Sequence, residues 1–200
     1  MSATTTIPVP CVERFLLLSR NETPMPPASE VEERDYSSVT PVPVRWDVVG
    51  RLVSRYGHAL ADGTLGYFNN DGELVFDVDT KGLSDCERDI VVKWFGEGQA
   101  PRVSAENEGI TDGRHRLAFC WDEDPSLLLP IHSELFMNAS EVPYQGQEFE
   151  GLVRESMEAV SKNLPPAVQR RNPHFMAQVQ AYLDGTWDTS RGHLVSYPAV

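Results

Sequence analysis

Three consecutive residues that carry cationic or titratable side chains, Arg114, His115 and Arg116, come directly after Gly113. An extended stretch precedes them and residues 114–121 favour a helix, so they fall in the first helical turn. Helical N–H groups lack intrahelical partners there and the dipole end is positive, so each cation costs from a few tenths to about 1 kcal/mol. A bound anion would relieve this repulsion, and glycine would permit close backbone approach. The pattern therefore predicts a phosphate-binding "anion corner", defined as Asp112, Gly113, Arg114, His115 and Arg116.

A second interpretation of the same residues stays open. Asp112, or another acidic residue of this acidic chain, pairs with the arginines and no ligand is needed. Asp112 or Thr111 also fits as the N-cap of the helix, because both side chains accept hydrogen bonds from first-turn N–H groups.

Other side chains are weaker candidates for chemistry. Asp77 and Asp79 alternate on a predicted strand, so both carboxylates point to one face. With Asp112, they are candidates to bind Mg²⁺, which favours one or two carboxylates plus phosphate, and either strand residue is a candidate general base. His132 follows the apolar strand 128–131, and strand ends are where sites of α/β proteins gather. The ordinary alternatives are strand-end aspartates entering a turn and a surface histidine.

The elements that would position these residues follow from periodicity and turn chemistry. Helical apolar stripes occupy residues 46–56, 82–98, 114–121, 148–164 and 173–183. Ser84 and Glu87 have the spacing of a capping box at the start of the second stripe. Extended segments are expected at 12–19, in a hairpin over 64–78, as one or two strands over 101–113, and at 126–136.

This order of elements predicts an α+β (mixed α/β) fold with a C-terminal helical pair. Residues 1–10 are expected to be irregular, and the proline-rich segment 21–43 to be a long loop. We divide the chain into an N-terminal strand and extended segment (1–43), a core (44–146), and a C-terminal helical appendix with its tail (147–200).

The run Asp112-Gly113-Arg114-His115-Arg116-Leu117 resembles the Gly-x-His-Arg signature of the ParB/sulfiredoxin-like superfamily. The resemblance covers about residues 74 to 136, and the rest has the general look of bacterial or phage relatives. It implies a nucleotide whose phosphates lie at the loop and helix start, as in superfamily members that repair peroxiredoxin with ATP, phosphorylate serine with ADP, or hydrolyse CTP. It implies that Gly113 gives close backbone approach, that His115 and Arg116 contact phosphate, and that Asp112 holds the turn or faces a metal. The implied cofactor is a nucleoside di- or triphosphate with Mg²⁺.

Departures from the superfamily narrow these implications. Arg114 stands where sulfiredoxin has its catalytic cysteine, and Cys120 lies six residues further on, which argues against sulfinic-acid repair. No upstream general base of a serine kinase can be assigned. Partition proteins continue into a basic DNA-reading domain, whereas the helices beyond residue 147 hold five acidic residues against four basic ones. With sulfinic-acid repair and DNA reading disfavoured, the resemblance implies nucleotide binding, with hydrolysis of the nucleotide or transfer of a phosphoryl group.

The composition bears on partners and compartment. The net charge is −13 and no basic run is longer than Arg170-Arg171, which disfavours duplex DNA and makes a ParB-like nuclease a lesser alternative. The main alternative is a non-catalytic interaction or regulatory protein that meets a protein partner through its acidic surface. The three cysteines lack metal-site spacing and are typical of free thiols in a reducing cytosol. Without an 18-residue apolar window or a signal-peptide pattern, we expect a cytoplasmic protein without a membrane partner.

Overall fold

The computed structural model describes residues 4–8, 15–23, 43–62, 64, 67–68, 74–95, 100–103, 110–133, 154–155, 157–159 and 161–186. Its strands, in chain order, are β1 (Thr4–Pro8), β2 (Phe15–Leu18), β3 (Tyr67–Phe68), β4 (Leu74–Asp79), β5 (Arg102–Val103), β6 (Ile110–Asp112) and β7 (Leu129–Ser133). Its helices are α1 (Trp46–Ala61), α2 (Asp85–Phe95), α3 (Arg114–Glu123), α4 (Pro166–Arg171) and α5 (Pro173–Leu183). Residues 154–155, 157–159 and 161–163 are also helical. The predicted α+β class is confirmed.

The strands form two sheets. The first has the order β1-β4-β3 with antiparallel neighbours. The second has the order β2-β7-β5-β6, in which β5 and β7 run parallel and the other pairs antiparallel. The predicted hairpin is therefore β3 with β4, and the segment 101–113 forms two strands rather than one. The predicted turns fall within residues 69–73 and 104–109, which lie outside the described residues.

Helix α1 packs closely on the second sheet and on α3 because two of its glycines face them. A Cβ atom built on Gly57 would lie 2.8 Å from Cδ of Pro130 in β7, and one on Gly50 would lie 3.2 Å from Cβ of Cys120 in α3. The glycines are seven residues apart, about two helical turns, so both lie on one face. Val49 and Val53, part of the apolar stripe predicted for this helix, are fully buried.

Helix α2 begins with the predicted capping box. The Glu87 N–H donates to Ser84 Oγ at 3.2 Å, and the Ser84 N–H donates to the Glu87 carboxylate at 2.8 Å. The same carboxylate accepts from Arg45, through its backbone N–H at 2.9 Å and its guanidinium at 2.7 and 2.8 Å. Glu87 is completely buried. One carboxylate thus starts α2 and ties it to the residue before α1.

The C-terminal helices attach to the edge of the second sheet through a buried amide. Asn172, with no exposed surface, accepts from the Leu17 N–H at 2.7 Å and donates to the Leu17 carbonyl at 3.3 Å. Its amide also donates to the Val168 carbonyl at 2.9 Å. Arg171 adds hydrogen bonds to the Leu17 carbonyl and an ion pair with Glu22 at 2.7 Å. Strand β2 therefore pairs with β7 on one side and with a side chain on the other.

Several sequence-based expectations need correction. Residues 4–8, expected to be irregular, form a strand because every one of them pairs with β4. Helix α1 continues to Ala61, and the short helix α4 was not predicted. Asn172 is the N-cap residue of α5, but its side chain makes no capping bond there and pairs with Leu17 instead. The proline-rich residues 24–42 lie outside the described part. No helix within the described part is both long and apolar enough to cross a membrane.

Removing the Asn172 amide should destabilise the fold strongly. Asn172→Ala leaves the Leu17 N–H and carbonyl buried without these partners, and we expect a loss of about 3 kcal/mol in the free energy of unfolding. Urea titration measures it. Asn163→Ala, which truncates the same residue type at an exposed position, should change the value by no more than about 0.5 kcal/mol. Equal effects of the two substitutions would contradict this role for Asn172.

The stability contributed by Glu87 should disappear in acid. The Arg45 side chain, with backbone N–H groups of Ser84 and Arg45, lowers the pKa of Glu87 from 4.5 to about 2. A carboxyl with a lowered pKa contributes its full stability above the unfolded pKa and loses it as the pH falls through the folded pKa. Glu87→Gln should therefore cost at most about 3 kcal/mol near neutral pH, and this cost should shrink between about pH 5 and pH 2.

Urea unfolding of wild type and Glu87→Gln across this pH range checks the expectation. Asp85→Asn is the matched control, since Asp85 lies at the start of the same helix but its side chain is 88% exposed. Its cost should be small throughout. A cost of Glu87→Gln that does not change with pH would show that the ionised carboxylate is not the stabilising form.

Candidate functional site

The anion corner begins with a glycine in a conformation that other residues avoid. Gly113 has φ 72° and ψ 10°, the left-handed region, and precedes the first residue of α3. A Cβ atom at this position would lie 2.7 Å from Cα, Cβ and Cγ of Pro101. The sequence suggested that Gly113 allows a ligand to approach, and the structure adds that the glycine is also needed for packing against Pro101. The start of α3 is thereby held against the chain entering β5.

The first turn of α3 carries three consecutive cationic or titratable side chains. Its N-cap residue is Gly113, which has no side chain that could cap the helix, and the turn itself contains no acidic residue. Arg114 is exposed and its guanidinium donates to the Ile110 carbonyl at 3.2 Å. His115 is partly exposed and its ring has no hydrogen-bond partner among the described residues. The three side chains that the sequence placed in the first helical turn do lie there, at the positive end of the helix dipole.

Arg116, the last of these three side chains, is directed inward. It is only 9% exposed, and its Cζ lies 5.7 Å from the ring centroid of Trp94, within the range of a cation–π contact. Trp94 is fully buried and donates through Nε1 to the Pro130 carbonyl at 2.9 Å. The guanidinium thus rests on an indole whose own position is fixed by β7.

Two cationic or titratable side chains of adjoining strands stand next to the corner. Arg102 in β5 is the register partner of Asp112 in β6 and of His132 in β7. The His132 N–H donates to the Pro101 carbonyl at 2.7 Å, and its ring meets Phe15 edge-on with centroids 5.6 Å apart. These pairings extend β7 through His132, which the sequence placed just beyond the strand. His132, a weak catalytic candidate, is therefore brought to the same side of the sheet as Arg102.

The other predicted acidic candidates are placed elsewhere or only partly described. Asp77 and Asp79 are exposed on β4, in the first sheet, whereas the anion corner follows β6 of the second. Asp77 accepts from the Thr6 hydroxyl at 2.6 Å, and Asp79 from the Lys81 N–H at 3.0 Å. For Asp112 only the backbone is described, so its predicted roles lie outside the described residues.

The described part contains no group of metal ligands, and the thiol of Cys120 in α3 is buried. There, no three His, Cys, Asp or Glu side chains form a group able to hold a metal ion. Cys120 is fully buried within α3, and burial raises its pKa far above the usual range of a thiol. Because the thiolate is the nucleophilic form, Cys120 is unsuited to the redox chemistry of sulfiredoxin.

Comparison with known proteins gives no neighbour: no family model, no curated protein and no solved structure matches this chain. The resemblance to the ParB/sulfiredoxin-like superfamily therefore rests on the residues 112–117 and on the strand–turn–helix context around them.

Sequence reasoning missed two contributors to the site. In the sequence, Arg102 falls only within the predicted extended segment 101–113, and Trp94 only within the apolar stripe 82–98. The position of Arg102 depends on β5 pairing with both β6 and β7, which joins residues far apart in the chain. The one sequence signal was a single arginine within a short apolar strand, which does not by itself distinguish a site residue from a surface residue.

The packing of Gly113 leads to a stability prediction. Gly113→Ala has two costs: the alanine must adopt a left-handed backbone conformation, and its Cβ atom clashes with Pro101. Gly82→Ala has only the cost of the backbone conformation, because Gly82 has φ 80° and no atom lies within 4 Å of its Cβ position. Gly113→Ala should therefore lower the free energy of unfolding by at least about 1 kcal/mol more than Gly82→Ala. Urea titrations of both variants measure the difference. Equal losses of stability in the two variants would mean that Pro101 can move away from the added Cβ atom without lowering the free energy of unfolding.

Proposed function

We propose that this chain binds a phosphate-bearing ligand, a nucleotide, at the anion corner. The observation that carries the proposal is the first turn of α3. Its N-cap residue is a glycine and the turn itself contains no acidic residue, yet it contains Arg114, His115 and Arg116 in a chain whose net charge is −13. A phosphate placed there would accept hydrogen bonds from backbone N–H groups and cationic side chains at once.

The side chains of the anion corner differ in exposure: Arg116 is buried, whereas Arg114 and His115 are accessible to solvent. This difference supports a binding site in which one cationic side chain is fixed and two can move. Arg116 is held on Trp94 and would supply charge from below, where screening by solvent is weak. Arg114 and His115 are accessible and would close on the ligand from the solvent side. The contact between Gly113 and Pro101 fixes the direction of the helix before any ligand arrives, so little ordering is needed on binding.

Nucleotide hydrolysis or phosphoryl transfer is the reaction class that suits this arrangement. Such reactions depend mainly on positioning and on charge stabilisation of the transferred group, which arginines and Mg²⁺ supply. Of the candidates for proton transfer, His132 is the one that adjoins the corner through its pairing with Arg102. Mg²⁺ would enter with the nucleotide, since it needs only one or two protein carboxylates when phosphate oxygens complete its shell.

Nucleotides should raise the melting temperature of the wild-type protein. ATP, ADP, CTP and GTP are each tested at millimolar concentration with and without Mg²⁺. At a concentration of about 100 times Kd, binding adds about 2.7 kcal/mol to stability, which is a shift of several degrees for a domain of this size. Released phosphate, measured in the same samples, reports hydrolysis separately from binding.

Two variants test whether the nucleotide that raises the melting temperature binds at the anion corner. Arg116→Met keeps an unbranched side chain on Trp94 while removing the charge, and it should abolish the nucleotide-dependent shift. Arg51→Gln is the control, because Arg51 is exposed on α1 and pairs only with Asp47 among the described residues; it should leave the shift intact. If no nucleotide shifts wild type, or if Arg116→Met retains the full shift, the proposal is wrong. The acidic interaction protein then becomes the better explanation.

A further inference from the structure

We draw no further inference here: the strongest candidate, the half-exposed aromatic patch formed where Trp46 at the start of α1 stacks on Phe119 of α3, carries nothing further because nothing in the described part of the chain shows what covers it.

Discussion

The buried indole of Trp94 joins the parts of the molecule on which the site depends. It belongs to α2, donates a hydrogen bond to the Pro130 carbonyl of β7, and lies under the guanidinium of Arg116 in α3. These elements come from separate stretches of the chain, and their relative positions determine where the first turn of α3 points. The charge at the corner is therefore placed by an aromatic residue that carries no charge itself.

The elements that local chemistry determines were predictable from the sequence. The Ser84–Glu87 capping box, the stripe that starts with Trp46 and the hairpin that includes β4 depend on neighbours within a few residues, and all are present. The strand β1 was not predicted, because its polar threonines become a strand only by pairing with β4 more than 60 residues away. The same limit applied to Asn172, whose partner Leu17 lies 155 residues earlier.

The residues of the candidate site also fall into two groups, those that local sequence predicts and those that only strand pairing brings together. Gly113 and the cations of the first helical turn are consecutive, so the anion corner was visible as a local conflict between charge and helix dipole. Its strand neighbours, Arg102 and His132, join only through the β6-β5-β7 order, which spans a parallel pairing. Pairings between distant segments depend on the whole fold, and no short motif encodes them. The run 112–117, on which the resemblance to the superfamily rests, therefore covers one part of the candidate site and gives no information about Arg102 or His132.

The amide of Asn172 also has a consequence for contacts between molecules. An edge strand with free N–H and carbonyl groups is a template on which another chain can add a strand, and the apolar run of β2 would make such addition favourable. The Asn172 side chain occupies both hydrogen-bonding groups of Leu17 at the middle of that edge. The C-terminal helices thus protect the sheet from intermolecular pairing, and their attachment influences solubility as well as folding.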